Sequence, residues 1–578
     1  MSLSALKGQF FTKAITGYLV TSTDEYLNEY TTAAGRRLEY ITKFTGSNGF
    51  VIVLKNCSLF FTDSRYLLQS SKQLDSKEYI ITDQNLFNSF SWNEFISEGD
   101  IIGFDPKICS IELYKRLSSV ISLKPINVNL VDLVWQNKPD KPSSLIYEYP
   151  IQYSGQVFES KIAECRKLLS QHQADYMLVT RSDSVCWLFN IRASDLDFSP
   201  LLLAFAIVST KNCYLFVDDK RLSLQLKKIF HDIVTILPED SFTDFINMRS
   251  DKKYLFDKGA SCYIHFLMCK KNTIPVDDHC FYLKSCKNQI EIDNSIDVHL
   301  YDAVAVCEFL SFIVNLHVND RLKNFSEYDL GIELSKFRSH NSRYVCDSFP
   351  TICGFNENSS IIHYRASKYD SKVLSVTGLL LLDSGAHYKG GTTDITRTIA
   401  IGNVNPKHKY FYTKVLKGHI ALARLIFPKS KITGMHIDVL ARQYLWQEYE
   451  DYFHGTGHGV GDFLNVHEGP QNINYLVDSN VVLKKFMILS NEPGYYINNE
   501  FGIRIENLIY VNSTSYEKFL KFTNLTLVPY DRSLIDVSTL NRDELLYIEQ
   551  YYSEIRKRVR PLLSVDTQSW LDDQLKII

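Results

Sequence analysis

Residues 379–399 read LLLLDSGAHYKGGTTDITRTI, and the fold is decided there. An apolar run, Leu379–Leu382, ends in Asp383. Gly390-Gly391 supplies a tight turn, and a second run then alternates. Asp394, Thr396 and Thr398 fall on one face; Ile395, Arg397 and Ile399 fall on the other. The pattern predicts two strands joined through a glycine turn, with a carboxylate at the end of a buried strand. Such a group is costly unless it is paired or binds a metal. Taken alone, two aspartates so placed are more readily turn or cap residues.

Downstream, His454–Pro470 reads HGTGHGVGDFLNVHEGP. Three of the chain's 15 histidines, His454, His458 and His467, are interleaved here with Gly455, Gly457, Gly459 and Gly461. The glycines disfavour a helix, so His454 and His458 are not the two histidines of a helical metal motif. A glycine loop that lets backbone and imidazoles crowd a small volume is predicted instead. In Met487–Tyr496 (MILSNEPGYY) a strand runs into Glu492, and Pro493-Gly494 forces a turn. Gly502–Ile509 (GIRIENLI) alternates as a further strand, with Arg504 and Glu506 on one face and Ile503, Ile505 and Ile509 on the other. An exposed ion pair is the plain alternative for Arg504 and Glu506. The conjunction decides: Asp383, Asp394, Glu492, Glu506 and His458 make an oxygen-rich donor set with one nitrogen. That set suits a pair of Mn²⁺, Co²⁺ or Zn²⁺ ions, which at about 3.5–4 Å separation activate a bridging hydroxide for hydrolysis.

The rest of the chain frames this centre. Its 578 residues allow about three domains at roughly 100–200 residues each. Short strands (Phe50–Leu54, Leu59–Thr62, Ile101–Phe104) and the helix Ile111–Ile121 belong to a first region, 1–145, which ends in the proline-bearing linker NKPDKPSS, 137–144. A second region, 146–286, has a similar succession of elements. A helix, Lys161–His172, leads to strand Tyr176–Thr180, then strands Leu201–Val208 and Tyr214–Val217, and a helix near Leu222–Phe230. Alternating strands and helices predict an α/β fold for both, and their similar size and order suggest a duplication. A third region, 287–540, opens with a long helix, Gln289–Val318, whose Ala305, Phe309, Phe312 and Leu316 share one face. A charged tail, 541–578, reads as a helix, Pro561 and a short amphipathic helix.

Composition removes other classes. The chain is 45% hydrophobic and 22% charged with net charge −3, so no basic excess awaits a nucleic acid. No apolar run approaches the ~18–20 residues of a membrane span, and no secretory signal is visible. Twelve cysteines form no C-x-x-C pair. A reduced, cytoplasmic setting is expected.

These motifs, with Ser348–Ser367 (SFPTICGFNENSSIIHYRAS), resemble the catalytic segments of aminopeptidase P, the Xaa-Pro aminopeptidase branch of the pita-bread metallopeptidases. EYTTAAGRRLEYITKFTGSNG (29–49) and FTDSRYLLQ (61–69) resemble its N-terminal domain; VCWLFNIRASDLDFSP (185–200) resembles the second domain of the long, three-domain, cytosolic type. The resemblance implies two creatinase-like α/β domains followed by an α+β pita-bread domain, and a homodimer supported by the tail. It implies two divalent ions, manganese by family expectation. Asp383 would bind one ion, Asp394 and Glu506 would bridge both, and His458 and Glu492 would complete the second. Glu492 would also orient or deprotonate the water, and His467 would donate to the carbonyl oxygen. His363 and His454 would line the site for substrate and proline. Arg504 would steady the ligand carboxylates, and Tyr496 is a candidate for the proline pocket. The implied substrates are peptides with proline second. A prolidase is the nearest alternative, and two N-terminal domains argue against it. A non-enzymatic relative on the same fold, or creatinase-like chemistry, is disfavoured by the full ligand set. One departure is the polar Cys353–Ser359 stretch, where relatives often carry a glycine-rich loop.

Overall fold

A computed structural model describes residues 2–259, 261–269, 272–477 and 480–576. The chain divides into two compact units. One comprises Met1–Ile151 and Gln156–Tyr282; the other comprises Gln152–Gly155 and Leu283–Ile578.

The first unit contains two six-stranded sheets of one design. In spatial order the first runs Tyr79–Asp83, Ser58–Thr62, Phe50–Leu54, Gly17–Thr21, Ile101–Phe104, Ser122–Pro125. The second runs Val234–Leu237, Cys213–Phe216, Phe205–Ser209, Tyr176–Val179, Tyr254–Phe256, Thr273–Pro275. In each, the three central pairings are antiparallel, antiparallel and parallel at equivalent places, and the outer strands add in parallel. Matching order and matching sense are what a duplication leaves behind. One expected strand is shorter than its apolar run. Leu201–Val208 becomes a strand only from Phe205, because the N–H of Leu202 goes to the Cys186 sulfur and that of Leu203 to the Asp195 carboxylate at 2.9 Å, which takes both from any ladder.

The second unit is the α+β body. Its long helix, Gln289–Val318, starts at a capping box between Asn288 and Glu291 and buries Ala305, Phe309 and Leu316. Phe312 packs against the same core from a partly buried position. That core also takes Leu379, Leu380 and Leu382, the helix Pro406–Ala423, and Ile548, Tyr551, Tyr552, Ile555 and Leu571 of the C-terminal helices Arg542–Arg558 and Val565–Gln574. The tail therefore packs on its own unit, because the apolar faces of both helices are buried there. Ile352–Phe355, Gly378–Ser384 and Ile395–Ile401 form one sheet. A larger sheet runs Ile426–Pro428, Phe519–Asn524, Asn507–Ser513, Ile488–Asn491, Gly457–Gly459, Glu468–Ile473. A hairpin, Gly494–Ile497 with Phe501–Arg504, stands beside them.

Two local expectations change. Gly502–Ile509 is not one strand: it breaks at Ile505-Glu506 into the hairpin strand ending at Arg504 and the sheet strand starting at Asn507. The break is held by Ile505 N–H on the Pro493 carbonyl (3.2 Å) and Glu506 N–H on the Thr396 carbonyl (3.1 Å). Within the glycine loop, Gly457–Gly459 is strand, paired on both sides. Glycine is required: a Cβ at Gly457 would lie 2.1 Å from the Ser490 carbonyl oxygen, and one at Gly459 would lie 2.0 Å from that of Glu468.

Candidate metal centre

Asp383 sits on Gly378–Ser384 opposite Thr396 of the neighbouring strand, and Asp394 lies just before that strand. The glycine at 385 lets the turn close, since a Cβ there would meet the Thr393 carbonyl oxygen at 2.0 Å. His458 comes from the short strand Gly457–Gly459, Glu492 from the end of Ile488–Asn491, and Glu506 from the break between the two strands described above. Glu492 N–H bonds the Thr456 carbonyl at 2.8 Å, which ties the glycine loop to the glutamate turn.

These elements bring the five residues together. Ligand-capable atoms of Asp394, His458 and Glu506 all lie within 4.8 Å of one another. His458 Nε2 is 3.5 Å from Asp394 Oδ2 and 3.4 Å from Glu492 Oε1. Its Nδ1 lies 2.9 Å from the Gly459 carbonyl, so a proton held there leaves Nε2 free to bind a cation. Asp383 Oδ2 accepts from Arg504 Nη2 at 2.6 Å, and Glu506 Oε2 accepts from Thr396 Oγ1 at 2.8 Å. Their other oxygens, Asp383 Oδ1 and Glu506 Oε1, are buried and take no hydrogen bond among the described residues. Two buried carboxylate oxygens left over, in a set of hard oxygen donors with one imidazole, fit a divalent cation pair.

Electrostatics point the same way. Burial raises the Asp383 pKa to about 7; Arg504 opposes this, while Asp394 and Glu492 add to it. Burial and the charges of Asp394, Glu492 and Asp383 push Glu506 well above the usual glutamate range. Glu492 is raised by burial against the pull of His458 and Arg504. For His458, burial favours the neutral ring, but the bond to Asp394 and the charges of Glu492 and Asp394 prevail and lift it to about 9. With no cation bound, the site holds protons where its donor set has places for metal.

The other candidates surround this set. The His467 ring lies edge-on to that of His458, with centroids 4.4 Å apart. His454 Nε2 meets Tyr496 Oη at 2.8 Å, and the same phenol accepts from Arg504 Nη1 at 2.8 Å. Arg504 thus joins Asp383 to Tyr496 and His454, and its Nε reaches Thr396 Oγ1 at 3.1 Å. The Tyr496 hydroxyl is committed to this chain, with its pKa raised to about 12 by burial. His363 lies in an irregular stretch, next to the Ile362 carbonyl that Arg504 approaches at 3.5 Å.

Four positioning groups escape a sequence reading. Thr396 bridges Glu506 and Arg504, and Ser490 donates to Glu492 Oε1 at 3.1 Å while accepting from His458 N–H at 2.9 Å. Arg397 is buried and donates to the Glu506 carbonyl at 2.7 Å. Arg442, on Gly434–Trp446, bonds Asp438 at 2.8 Å, the Tyr452 carbonyl at 2.6 Å and the His454 carbonyl at 2.7 Å, and so holds the entry to the glycine loop. Only Thr396 carried a signal, its shared face with Asp394.

The pattern of metallopeptidase family M24 matches residues 299–513, and that of the C-terminal region of peptidase_M24 matches 518–578. The creatinase/prolidase N-terminal domain is matched twice, over 3–133 and 137–291. Xaa-Pro aminopeptidase 1 of Dictyostelium discoideum is 34% identical over 98% of this chain and 94% of its own length. A crystal structure of X-prolyl aminopeptidase from Caenorhabditis elegans, described as a cytosolic enzyme with a di-nuclear active site, superposes with a TM-score of 0.95 at 30% identity, covering 100% of this chain and 99% of that one. The Xaa-Pro dipeptidase of Bacillus anthracis covers 65% of this chain with a TM-score of 0.51 at 25% identity. With likeness running through both N-terminal domains, the metal centre and the tail, the chain belongs to metallopeptidase family M24, among its Xaa-Pro aminopeptidases.

Proposed function

We propose that this protein hydrolyses the peptide bond between an N-terminal residue and a proline in second position, using two divalent ions. Asp383 would hold one ion, Asp394 and Glu506 both, and His458 and Glu492 the second. The observation that carries this is the convergence of four carboxylates on one imidazole, with Asp383 Oδ1 and Glu506 Oε1 buried and lacking protein partners among the described residues. Bound there, the ions supply Lewis acidity and a water acidic enough to attack near neutral pH.

The chain's own groups do the rest. Glu492 orients the attacking water and takes its proton, returning one to the departing prolyl nitrogen. His467, beside His458, donates to the carbonyl oxygen as it gains charge. His454 and His363 face the substrate. A bond before proline is a tertiary amide with no N–H to read, so recognition must fall on the ring and the free N-terminus. In the same reading the ions are manganese, the setting is cytoplasmic and two copies pair. Support for these comes from the oxygen-rich donors, from eleven free cysteines among the described residues, and from the exposed Tyr449 and Leu476 near the edge-on rings of Trp446 and Tyr475.

The test compares Xaa-Pro-Yaa peptides with Xaa-Pro dipeptides, on protein stripped of metal and reloaded with Mn²⁺. Release of the first residue from the longer peptides, only after reloading, is expected. Cleavage of dipeptides alone would make the protein a dipeptidase instead.

A further inference from the structure

The irregular stretch that carries His363 is tied to a buried carboxylate outside the metal centre's ligand set. Glu327 is the first residue of the helix Glu327–Ser339 and is wholly buried. It accepts from Phe355 N–H at 2.7 Å, from the Asn358 side-chain amide at 3.0 and 3.1 Å, from Tyr364 Oη at 2.8 Å and from Lys372 N–H at 2.9 Å. Its own N–H returns a bond to the Lys372 carbonyl at 2.9 Å. These contacts fall before, beside and after His363. Between Ile361 and Lys372 the backbone forms neither helix nor strand, and Tyr369 in its middle is 92% exposed. Such a run has no ladder of its own to fix it.

We propose that Glu327 is the positioning residue for His363: one carboxylate pins the segment at 355, 358, 364 and 372, and so sets where this imidazole meets the substrate. The proposal rests on the reading of the site as an Xaa-Pro aminopeptidase centre. Two features carry the effect into the site. Ser359 Oγ accepts from Gly502 N–H at 2.6 Å, and a Cβ on Gly502 would lie 2.0 Å from the Ser359 carbonyl oxygen, so the segment lies flush against the hairpin that bears Tyr496 and Arg504. Arg504 also approaches the Ile362 carbonyl, one residue before His363. A carboxylate is the group the geometry needs. All four partners are donors, and an ionised carboxylate only accepts. Glutamine keeps the shape, but whichever way its amide is turned the N–H₂ faces one of the two backbone N–H groups, Phe355 or Lys372, that need an acceptor.

The experiment uses full-length, Mn²⁺-loaded protein carrying Glu327→Gln or Tyr364→Phe. Hydrogen exchange over 355–372 is measured without substrate; kcat, KM and metal content are measured with an Xaa-Pro-Yaa peptide. For Glu327→Gln the expected result is faster exchange across the segment and a KM raised about 10-fold. Metal content should stay full and kcat should fall less than about 3-fold. Tyr364→Phe, which removes one contact, should raise KM about 3-fold, and it carries the test if the glutamine variant does not fold. Unchanged exchange overturns the anchoring. A fall in kcat alone, with KM fixed, overturns the positioning of His363. Faster exchange in a protein whose wild type leaves Xaa-Pro-Yaa peptides intact overturns the substrate assignment beneath the proposal.

Discussion

Stripping the divalent ions and returning them at a series of pH values tests the charge balance of the site directly. In the metal-free protein Asp383 is raised from 3.8 to about 7. A carboxyl with a raised pKa gives stability that is present below its unfolded value and is lost as pH rises through the folded one. At 1.36 kcal/mol per unit, Asp383 alone removes about 4 kcal/mol between about pH 4 and about pH 7. Glu506 and Glu492 are raised too and act in the same sense. His458, lifted from 6.5 to about 9, adds a contribution that is present below pH 6.5 and lost as pH climbs through 9. Cations take the place of these protons, so the metal-loaded protein does not share the loss. The gap in melting temperature between loaded and stripped protein should therefore widen from about pH 5 to about pH 8, by on the order of 10 °C. Titration calorimetry in buffers of different ionisation enthalpy should register release of about three protons, from Asp383, Glu506 and His458, on metal binding near pH 6. In the stripped protein, Asp383→Asn should remove one proton's worth of this slope. A metal-induced gain that is the same at both ends of the range, with no buffer-dependent heat, would refute the reasoning.

Two substitutions separate binding from turnover. Asp394→Ala, or Glu506→Ala, should abolish metal occupancy and hydrolysis together, read by elemental analysis and peptide cleavage; an active, metal-replete Asp394→Ala protein would remove these residues from the ligand set. His467→Ala should lower kcat about 100- to 1,000-fold with metal content unchanged, and loss of metal instead would make it a ligand.

What the sequence disclosed was what neighbours along the chain enforce. Leu379–Leu382 is apolar because that strand is buried on both sides, and Gly390-Gly391 turns because the chain must reverse there; both were legible. The long helix was legible from one apolar face; its capping box at Asn288 and Glu291 was added by the structure. The break at Ile505-Glu506 was not, because alternation continues across it and the bonds that impose it go to Pro493 and to Thr396, over a hundred residues earlier. The same holds for Arg397, Arg442 and Glu327. Each is a charged side chain whose burial is explained only by partners brought in by the fold, and local pattern reads such a residue as solvated. The resemblance made Tyr496 a candidate for the proline pocket, yet its contacts with His454 and Arg504 make it a link in a chain that runs from His454 to the Asp383 carboxylate. The resemblance gave the C-terminal helices a role in a homodimer; the burial of Ile548, Ile555 and Leu571 shows that their apolar faces pack on their own unit.

The charges of the centre give the reason for so costly an arrangement. Four carboxylates, Asp383, Asp394, Glu492 and Glu506, converge on a region where Arg504 brings a permanent positive charge to within 2.6 Å of Asp383 and His458 lies between Asp394 and Glu492. With His458 neutral, the form that can bind a cation, the sum is −3. Burying that charge uncompensated is prohibitive, which is why the metal-free site takes up protons instead. Two divalent cations bring +4 and leave the site at +1. A single positive charge in a buried pocket favours an anion there: the water that has given up its proton, or the carbonyl oxygen as it gains charge. Arg504 is what sets this number. Without it the same four carboxylates and two cations sum to zero, and the preference for an anion is lost. In the proposed centre its place between Asp383, Thr396 and Tyr496 would therefore do more than steady the carboxylates: it would fix the charge that the reacting groups meet.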